Sequence, residues 1–546
     1  MRPVDLHPSV VERLARLAPD QRAAATAPSG PVLCVAPAGS GKTTTLVARA
    51  AWLIDTGTPP DEIRAITFNK RAADEMGERM DAAVEALGIP PGAVRVRTFH
   101  ALGREILVDA GVSVEPLADR DAILRSLHPL ADDAERLRLD TAISRLKLEC
   151  GVTADQVAAD PDAGPTARTF VAYQRAVADT GGLDFDDLVI GAMERLDADP
   201  ELLARWRMRC RELLVDEVQD VDRAQLRLAL LLAAPANRIF LVGDDDQSIY
   251  GWRLADVRRV LGLADQLPGL RRVDLEVNHR CPPVVVDRAV RLVECNRERF
   301  AKRIRAGAVA SGRIVLAPDG SDETVRLERA VRSWPDDGSS RAVLARTNRE
   351  LLPAVAVALG LDIPFRAPRL ELLLESPIID DLLDQAAAWA VPDEPTLVSL
   401  GRLRGVAEGD PATGELAAAL IGWAAAHRDL AAFTDSVRQA RDRLATLRSD
   451  DAALTLATAH STKGLEFDHV VVVGMEADRF PSRRTIAEAD DPTRVLEEER
   501  RLAYVAWTRA RRSLTLLYDP LVPSPFLLEA FSPAELGLPG GATMDR

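Results

Sequence analysis

The chain has 546 residues, 47% of them hydrophobic and 28% charged, which at about 150 residues per domain predicts three to four domains and excludes disorder over most of the length. No apolar run approaches the roughly 18–20 residues that span a bilayer; the longest aliphatic run is Val470–Val473. The formal net charge of −15 argues against a surface-wide nucleic-acid footprint, although a large acidic protein can line one channel with positive charge.

In chain order, the N-terminal stretch to Leu17 lacks the apolar core and small-residue cleavage site of a signal peptide, so the reading is of no export. Pro31–Val35 is a short apolar run that leads into a Gly-rich turn. A helical pattern follows, with Leu46, Val47, Ala50, Leu53 and Ile54 on one face. Ile63–Phe68 reads as a second strand, and 106–185 as a polar helical stretch without strand runs. Leu213–Val215 and Ile239–Val242 are buried-strand runs that end in acidic residues. Strands are expected again at Arg313–Ala317, Ala342–Arg346, Leu454–Thr458, His469–Val473 and Leu514–Tyr518, with an Ala-rich helical region over 386–450. The reading is α/β: two parallel-sheet domains, each interrupted by a helical insertion. The expected division is 1–105 with 186–274, insertion 106–185, then 275–385 with 451–533, insertion 386–450, and a frayed tail 534–546.

Two residue counts add to this. The five cysteines (Cys34, Cys150, Cys210, Cys281, Cys295) form no CxxC pair, which argues against a zinc ribbon, an iron–sulfur cluster or a disulfide framework and points to a reducing cytoplasm. Of 69 basic residues only Lys42, Lys70, Lys147, Lys302 and Lys463 are lysine. Where arginine is the default cation, a lysine marks a place that needs a compact ammonium.

Ala36-Pro37-Ala38-Gly39-Ser40-Gly41-Lys42-Thr43 follows a strand and opens a helix. Apart from Ala36 in place of the first glycine, it fits a phosphate loop. Glycines let backbone N–H groups curl around phosphates at the positive end of a helix. Lys42 is then the residue that reaches the β/γ-phosphates, and Thr43 supplies a hydroxyl to Mg²⁺. Leu214-Val215-Asp216-Glu217 sets adjacent carboxylates at the end of an apolar strand. In a phosphate-loop enzyme one such carboxylate holds Mg²⁺ and the other activates water; Asp216 is read as the metal ligand and Glu217 as the base.

GSGKT, VDEVQD and VGDDDQSIYGWR together resemble the UvrD/Rep/PcrA family of superfamily 1 DNA helicases, and the resemblance runs along nearly the whole chain. Leu17–Gln21 resembles the family's adenine-reading Q motif, Ile66–Ala73 motif Ia, Thr98-Phe99-His100 motif Ib, and Asp184–Leu188 the element that closes the first insertion. Leu275–Arg280 resembles motif IV, Thr458–Asp468 motif V and Glu497–Ala510 motif VI. The resemblance implies two RecA-like domains that pinch ATP across a cleft, with Arg280 and Arg509 brought from the second domain to the γ-phosphate. It further implies a γ-phosphate sensor at Gln247, adenine contacts from Gln21 and His279 with Thr44 nearby, and a ribose contact from Glu466. For DNA it implies contacts from Phe68, Lys70 or Arg71, Thr98, Phe99, His100, Tyr250, Trp252, Arg253, His460 and Lys463. Trp252 is the expected base platform, since every base has a π-face on which a sequence-blind motor can stack.

The chain departs from the family's pattern in places. His279 stands where motif IV usually has tyrosine, Thr44 where arginine is common, and motif Ia reads TFNKRAA. Arg402–Gly409 resembles a worn form of the family's duplex-binding Gly-Ile-Gly element, inside a second insertion of only about 65 residues (386–450). The resemblance therefore implies a 3′→5′ ATP- and Mg²⁺-dependent helicase on single-stranded DNA and its duplex junctions, in repair or recombination. The alternatives are a single-strand translocase or remodeller that needs a protein partner to unwind, and a motor subunit of a phage-defence complex. No nuclease-like residue set follows motif VI.

Overall fold

The computed structural model describes residues 6–308, 311–368, 370–391, 394–403, 413, 416–417, 420–421, 424 and 429–538. Its backbone contacts divide the chain into two compact units, Met1–Gly312 with Arg484–Thr508, and Arg313–Arg483 with Arg509–Arg546.

The first unit is built on a six-stranded sheet of β1 (Val32–Val35), β2 (Ile63–Thr67), β3 (Arg95–Thr98), β4 (Glu212–Val215), β5 (Ile239–Gly243) and β6 (Arg271–Asp274), in the order β3-β2-β4-β5-β1-β6. Every pairing is parallel. The four inner strands are buried at every residue, as a parallel sheet covered on both faces requires. Alternation along each strand sends side chains to opposite cores. Val32 and Cys34 join Leu46, Val47, Met76 and Met80 of the helices Lys42–Asp55 and Lys70–Val84. Leu33 and Val35 join Leu102, Ile106, Ala192 and Leu228 of the helices Phe99–Asp109, Asp187–Ala198 and Arg223–Ala233. The chain leaves β1 outward to β2 and β3 and returns to lay β4 and β5 between β2 and β1. The C-terminal ends of β1, β5 and β4 therefore stand side by side, the place where open α/β sheets bind ligands.

Between β3 and β4 lies the first helical insertion. Its own apolar core is small (Leu124, Ile143, Phe170, Tyr173, Val177). Two cations, Lys147 buried and Arg120 half-buried, reinforce it. Arg120 bonds Asp184 and Asp186, both at 2.7 Å, and Lys147 Nζ lies 2.8 Å from Asp184 and 2.6 Å from Asp187.

The compact units divide differently from the sequence reading at one point. Residues 275–308 and 484–508, read there as part of the second α/β domain, pack in the first unit. They form a two-stranded parallel ribbon of β7 (Val277–Asn278) and β8 (Arg305–Ala306) and the helices Pro283–Val293 and Pro492–Trp507. The reasons are specific bonds. The Leu275 N–H donates to the Val35 carbonyl at 2.8 Å. Asn296, Arg297 and Glu298 donate to Glu497 at 2.8–3.1 Å. Lys302 is held by the aspartates that follow β5.

The second unit carries its own six-stranded parallel sheet: β9 (Arg313–Pro318), β10 (Arg341–Ala345), β11 (Phe365–Arg366), β12 (Leu454–Thr458), β13 (Phe467–Val472) and β14 (Ala510–Tyr518), in the order β11-β12-β10-β13-β14-β9. Its insertion includes the helices Ile378–Trp389, Thr396–Gly401 and Leu430–Leu447, which share an apolar core around Ile379, Leu382, Leu400, Phe433 and Val437. Arg404–Gly409 of the Gly-Ile-Gly-like element lie outside the described residues.

Candidate nucleotide and nucleic-acid sites

The loop from Ala36 to Gly41 joins β1 to the helix Lys42–Asp55. Gly39 and Gly41 have φ of +68° and +79°, the left-handed region that glycine enters without steric cost. Neither has room for a side chain. A Cβ at Gly39 would meet Asn278 Oδ1 at 2.7 Å and Arg280 Cβ at 2.8 Å, and one at Gly41 would meet Gln21 Nε2 at 2.5 Å. Gln21 is buried and buttresses the loop. Its amide donates to the Ser40 carbonyl at 2.7 Å, while its Oε1 accepts the Ala18 N–H at 3.0 Å. The His279 N–H donates to the Gly39 carbonyl at 2.9 Å, with the His279 side chain exposed beside the loop. Arg280 reaches the Thr508 carbonyl through Nη1 at 3.4 Å. Thr43 and Thr44 sit in the first turn of the helix.

At the end of β4 the Asp216 N–H still pairs with the Ile66 carbonyl at 2.8 Å. Glu217 then turns out of the strand at φ +52°, a conformation that costs a non-glycine residue energy and that clusters at functional sites. The turn brings Glu217 Oε2 to 3.1 Å from Lys42 Nζ. From Glu217 a hydrogen-bonded path runs along the strand ends. Gln219 Nε2 donates to Glu217 at 2.5 Å, Gln219 Oε1 accepts the Asp244 N–H at 3.0 Å, and Gln247 Nε2 donates to Asp244 Oδ2 at 2.7 Å. Gly243 has to be glycine, since a Cβ there would lie 2.3 Å from Gln219 Oε1.

The donors fit a divalent ion carried in with a nucleotide. Thr43 and Asp216 offer hard oxygens, and among the described residues no group of three or more His, Cys, Asp or Glu converges on a metal. A short donor set completed by phosphate oxygens and water is the usual way of holding Mg²⁺.

Three residues past Gln247 the chain builds an aromatic ladder. Phe68 stacks on Tyr250 (5.1 Å, 11°), Tyr250 meets Trp252 edge-on (6.2 Å), and the Arg253 guanidinium lies 4.6 Å over the Trp252 ring. Trp252 is 51% exposed, far more than a core tryptophan. His100 stacks on Phe185 (4.0 Å, 23°), which is 56% exposed; burial holds the His100 imidazole down to about 4, so it is neutral at physiological pH. Lys70 and Arg71 open the helix Lys70–Val84; Arg71 pairs with Glu75 at 2.9 Å, whereas Lys70 has no ion-pair partner among the described residues.

Two of the expected DNA residues are employed structurally. Phe99 is 3% exposed in the hydrophobic core and offers no ring face to a base. Thr98 caps the helix Phe99–Asp109, its side chain accepting the Ala101 N–H at 3.2 Å.

Arg509, Glu466, His460 and Lys463 belong to the second unit. Arg509 is buried and donates to the Leu465 carbonyl at 3.1 Å. Glu466 is exposed and pairs with Arg511 at 3.1 Å. Burial, with Arg346 nearby, holds His460 down to about 3.

Sequence reasoning missed four supporting residues. Lys302 Nζ sits 2.7, 2.5 and 2.9 Å from Asp244, Asp245 and Asp246, its side chain 1% exposed, with Arg299 on Asp246 at 2.8 Å. Burial works against the ammonium, but the three carboxylates outweigh it and hold its pKa well above the usual range. Glu498 accepts the Gly251 N–H at 2.8 Å, which joins the helix Pro492–Trp507 to the Trp252 turn. Tyr504, on the same helix, is fully buried, with the Ala38 backbone of the phosphate loop among the groups near its phenol. Phe185 is the fourth. The scarcity of lysine drew attention to Lys302; Phe185, Glu498 and Tyr504 lie inside motifs of the resemblance, but nothing in the sequence assigned them a role.

The UvrD/REP helicase N-terminal domain family matches residues 17–268, and the UvrD-like helicase C-terminal domain family matches 425–519. DNA helicase II of Escherichia coli is 29% identical, over 91% of this chain and 84% of that protein. The ATP-dependent DNA helicase PcrA of Leuconostoc citreum is 29% identical over 89% and 80%, and that of Staphylococcus aureus 27% over 91% and 82%. With both halves matched in order on two parallel sheets, the chain belongs to the UvrD/Rep helicase family.

Proposed function

We propose that this chain is an ATP-dependent DNA helicase and translocase that moves 3′→5′ on single-stranded DNA, engages single-strand/duplex junctions, uses Mg²⁺ with ATP, and acts in DNA repair or recombination in the cytoplasm. The observation that supports it best is the continuous connection, within one unit, from Glu217 through Gln219, Asp244 and Gln247 to the exposed ladder at Tyr250 and Trp252. A nucleotide-sensing group and a base platform separated by a few residues of one buried loop form a coupling device. A site serving nucleotide hydrolysis alone needs no exposed tryptophan there.

In this reading Lys42 and the loop amides take the β- and γ-phosphates; Thr43 and Asp216 would hold Mg²⁺, which would supply positive charge against the phosphates. Drawing Lys42 onto phosphate releases Glu217, whose carboxylate accepts a proton from the water that attacks the γ-phosphorus. Arg280, set against Gly39, and Arg509 are the arginines assigned to the γ-phosphate, and Gln247 passes its state to the aromatic ladder. Phe68, Tyr250, Trp252 and Arg253 carry the single strand. Lys70 fits a backbone phosphate better than Arg71, which Glu75 already occupies.

The second insertion favours a second reading. It spans only about 65 residues (386–450). A smaller insertion offers less surface for duplex, which suits a single-strand remodeller activated by a protein partner. ATP hydrolysis with and without single-stranded DNA tests the motor; no stimulation by DNA overturns both readings. Displacement of a strand from a 3′-tailed duplex supports the helicase. Displacement of streptavidin from a biotinylated single strand, without unwinding, selects the remodeller.

A further inference from the structure

A cavity of about 490 Å³ opens in the first unit between the amino-terminal ends of β2 and β3 and the helices Phe99–Asp109 and Pro200–Arg209. In an all-parallel sheet this is the end opposite the phosphate loop, which follows the carboxyl end of β1. Its walls carry Arg64, Arg95, Arg104 and Arg209 against two acids, Glu105 and Asp109.

Those acids are already engaged. Glu105 pairs with Arg97 at 2.5 Å, and Asp109 pairs with Arg209 at 3.1 Å while accepting the Trp206 indole N–H at 3.0 Å. Arg104 pairs with Glu115. Arg64 and Arg95 are left over. They are register partners on adjacent strands, so both side chains project from the same face of the sheet, and like charges directly opposite repel. Arg64 is only 8% exposed. One of its terminal nitrogens donates to the Asp61 carbonyl at 3.2 Å, while its buried Nε has no hydrogen-bond partner. Arg95 makes no ion pair among the described residues. Burial lowers the Arg64 pKa; Cys210 and Glu105 oppose this, while the neighbouring Arg95 and Arg209 add to it.

A buried, under-bonded guanidinium beside a second unpaired one is costly unless an anion completes it. Two guanidiniums in one pocket match the oxygens of a phosphate, which each fork can hold by paired N–H donors. We infer that this cavity is a second anion site, distinct from the nucleotide site, that binds a phosphate group through Arg64 and Arg95 with Arg104 at its rim. The phosphate comes either from the backbone of bound DNA or from a free oxyanion.

The test uses the full chain with ADP and Mg²⁺ saturating the nucleotide site. Thermal unfolding is followed in inorganic phosphate and in chloride at equal ionic strength. The expected result is a saturable rise in Tm with phosphate that falls by at least half in Arg95→Ala. Arg95→Glu, which gives Arg64 an internal partner, should unfold at a higher temperature than Arg95→Ala in chloride and show no phosphate response. A second arm measures the salt dependence of affinity for a 3′-tailed duplex. If the ligand is a DNA backbone phosphate, the Arg95→Ala/Arg104→Ala variant loses about 0.7–0.9 from the slope of log affinity against log salt per contact removed. An unchanged slope together with the phosphate effect assigns the site to a free oxyanion. If the variants match wild type in both arms, the site does not exist.

Discussion

Gly251→Ala tests the link between the Trp252 turn and the helix behind it. The Gly251 N–H donates to Glu498 Oε1 at 2.8 Å, and a Cβ at Gly251 would stand 2.4 Å from Glu498 Oε2 and 2.9 Å from Oε1. Gly251 is not among the residues with positive φ, so alanine brings little backbone penalty and its effect comes from the displaced carboxylate. Glu498 is half-buried; burial raises its pKa, while the Gly251 N–H and Arg501 work the other way. Moving it away forfeits a hydrogen bond to a charged group, worth about 1.5–3 kcal/mol. At about 2 kcal/mol the turn as built becomes roughly 30-fold less populated. In an ATPase titration with oligo-dT, the half-saturating DNA concentration should rise by about that factor, with DNA-free turnover within about twofold of wild type. Glu498→Ala removes both the bond and the clash. Gly251→Ala on that background should therefore add almost nothing, a non-additivity that a double-mutant cycle reads directly. Equal costs on the two backgrounds, or a DNA shift under about threefold, would refute the link.

Further outcomes follow from the same geometry. Glu217→Gln should cut turnover by about 10²–10⁴-fold while fluorescent ATP still binds, and normal turnover would remove Glu217 from its role. Trp252→Ala should weaken single-strand affinity by about 10–100-fold, the value of one lost base stack, leaving basal hydrolysis intact; unchanged affinity takes Trp252 off the DNA path. Lys302→Met strands three buried carboxylates with Arg299 alone and should cost about 3–5 kcal/mol in urea unfolding, whereas a variant as stable as wild type would mean that the aspartates are protonated. His100 ionises near 4 when folded and near 6.5 when unfolded. Between those values the unfolded chain binds more protons, so stability is full above about pH 6.5 and is lost, by up to about 3 kcal/mol, as pH falls toward 4. His100→Phe should abolish that part of the slope in urea titrations at pH 5 and 7; an unchanged slope would place the effect elsewhere.

What was legible in the sequence follows burial. The inner strands read as unbroken apolar runs because both faces of the sheet are covered, and β1, β2, β4 and β5 are buried throughout. The edges β3 (RVRT) and β6 (RRVD) left no such run, since an edge strand is partly solvated and carries charge against stray pairing. Phe99 misled for a related reason. Its neighbours Thr98 and His100 lie in the same motif, expected to face DNA, but helix geometry turns the Phe99 side chain inward to the core. The membership of 275–308 in the first unit was not legible, because it depends on contacts between segments some two hundred residues apart, such as Asn296 with Glu497.

The lysines show how far composition alone reaches. Lys42, Lys70 and Lys463 fall in motifs, and motif context explains them. Lys147 and Lys302 lie in none, yet both are almost completely buried among aspartates, Lys147 between Asp184 and Asp187 and Lys302 among Asp244, Asp245 and Asp246. An ammonium is a point charge with three donors, and it satisfies carboxylates that converge from three directions. A guanidinium is planar, donates in one plane and needs more volume. At an exposed position the two cations are nearly interchangeable, so a coding bias toward arginine can run unchecked there. Lysine persists where arginine would have to push apart a packed carboxylate cluster. Lys302→Arg is accordingly expected to recover less than half of the stability lost in Lys302→Met, despite the restored charge. Full recovery would show that charge alone, and not the shape of the ammonium, holds the loop between Gly243 and Gln247 in place.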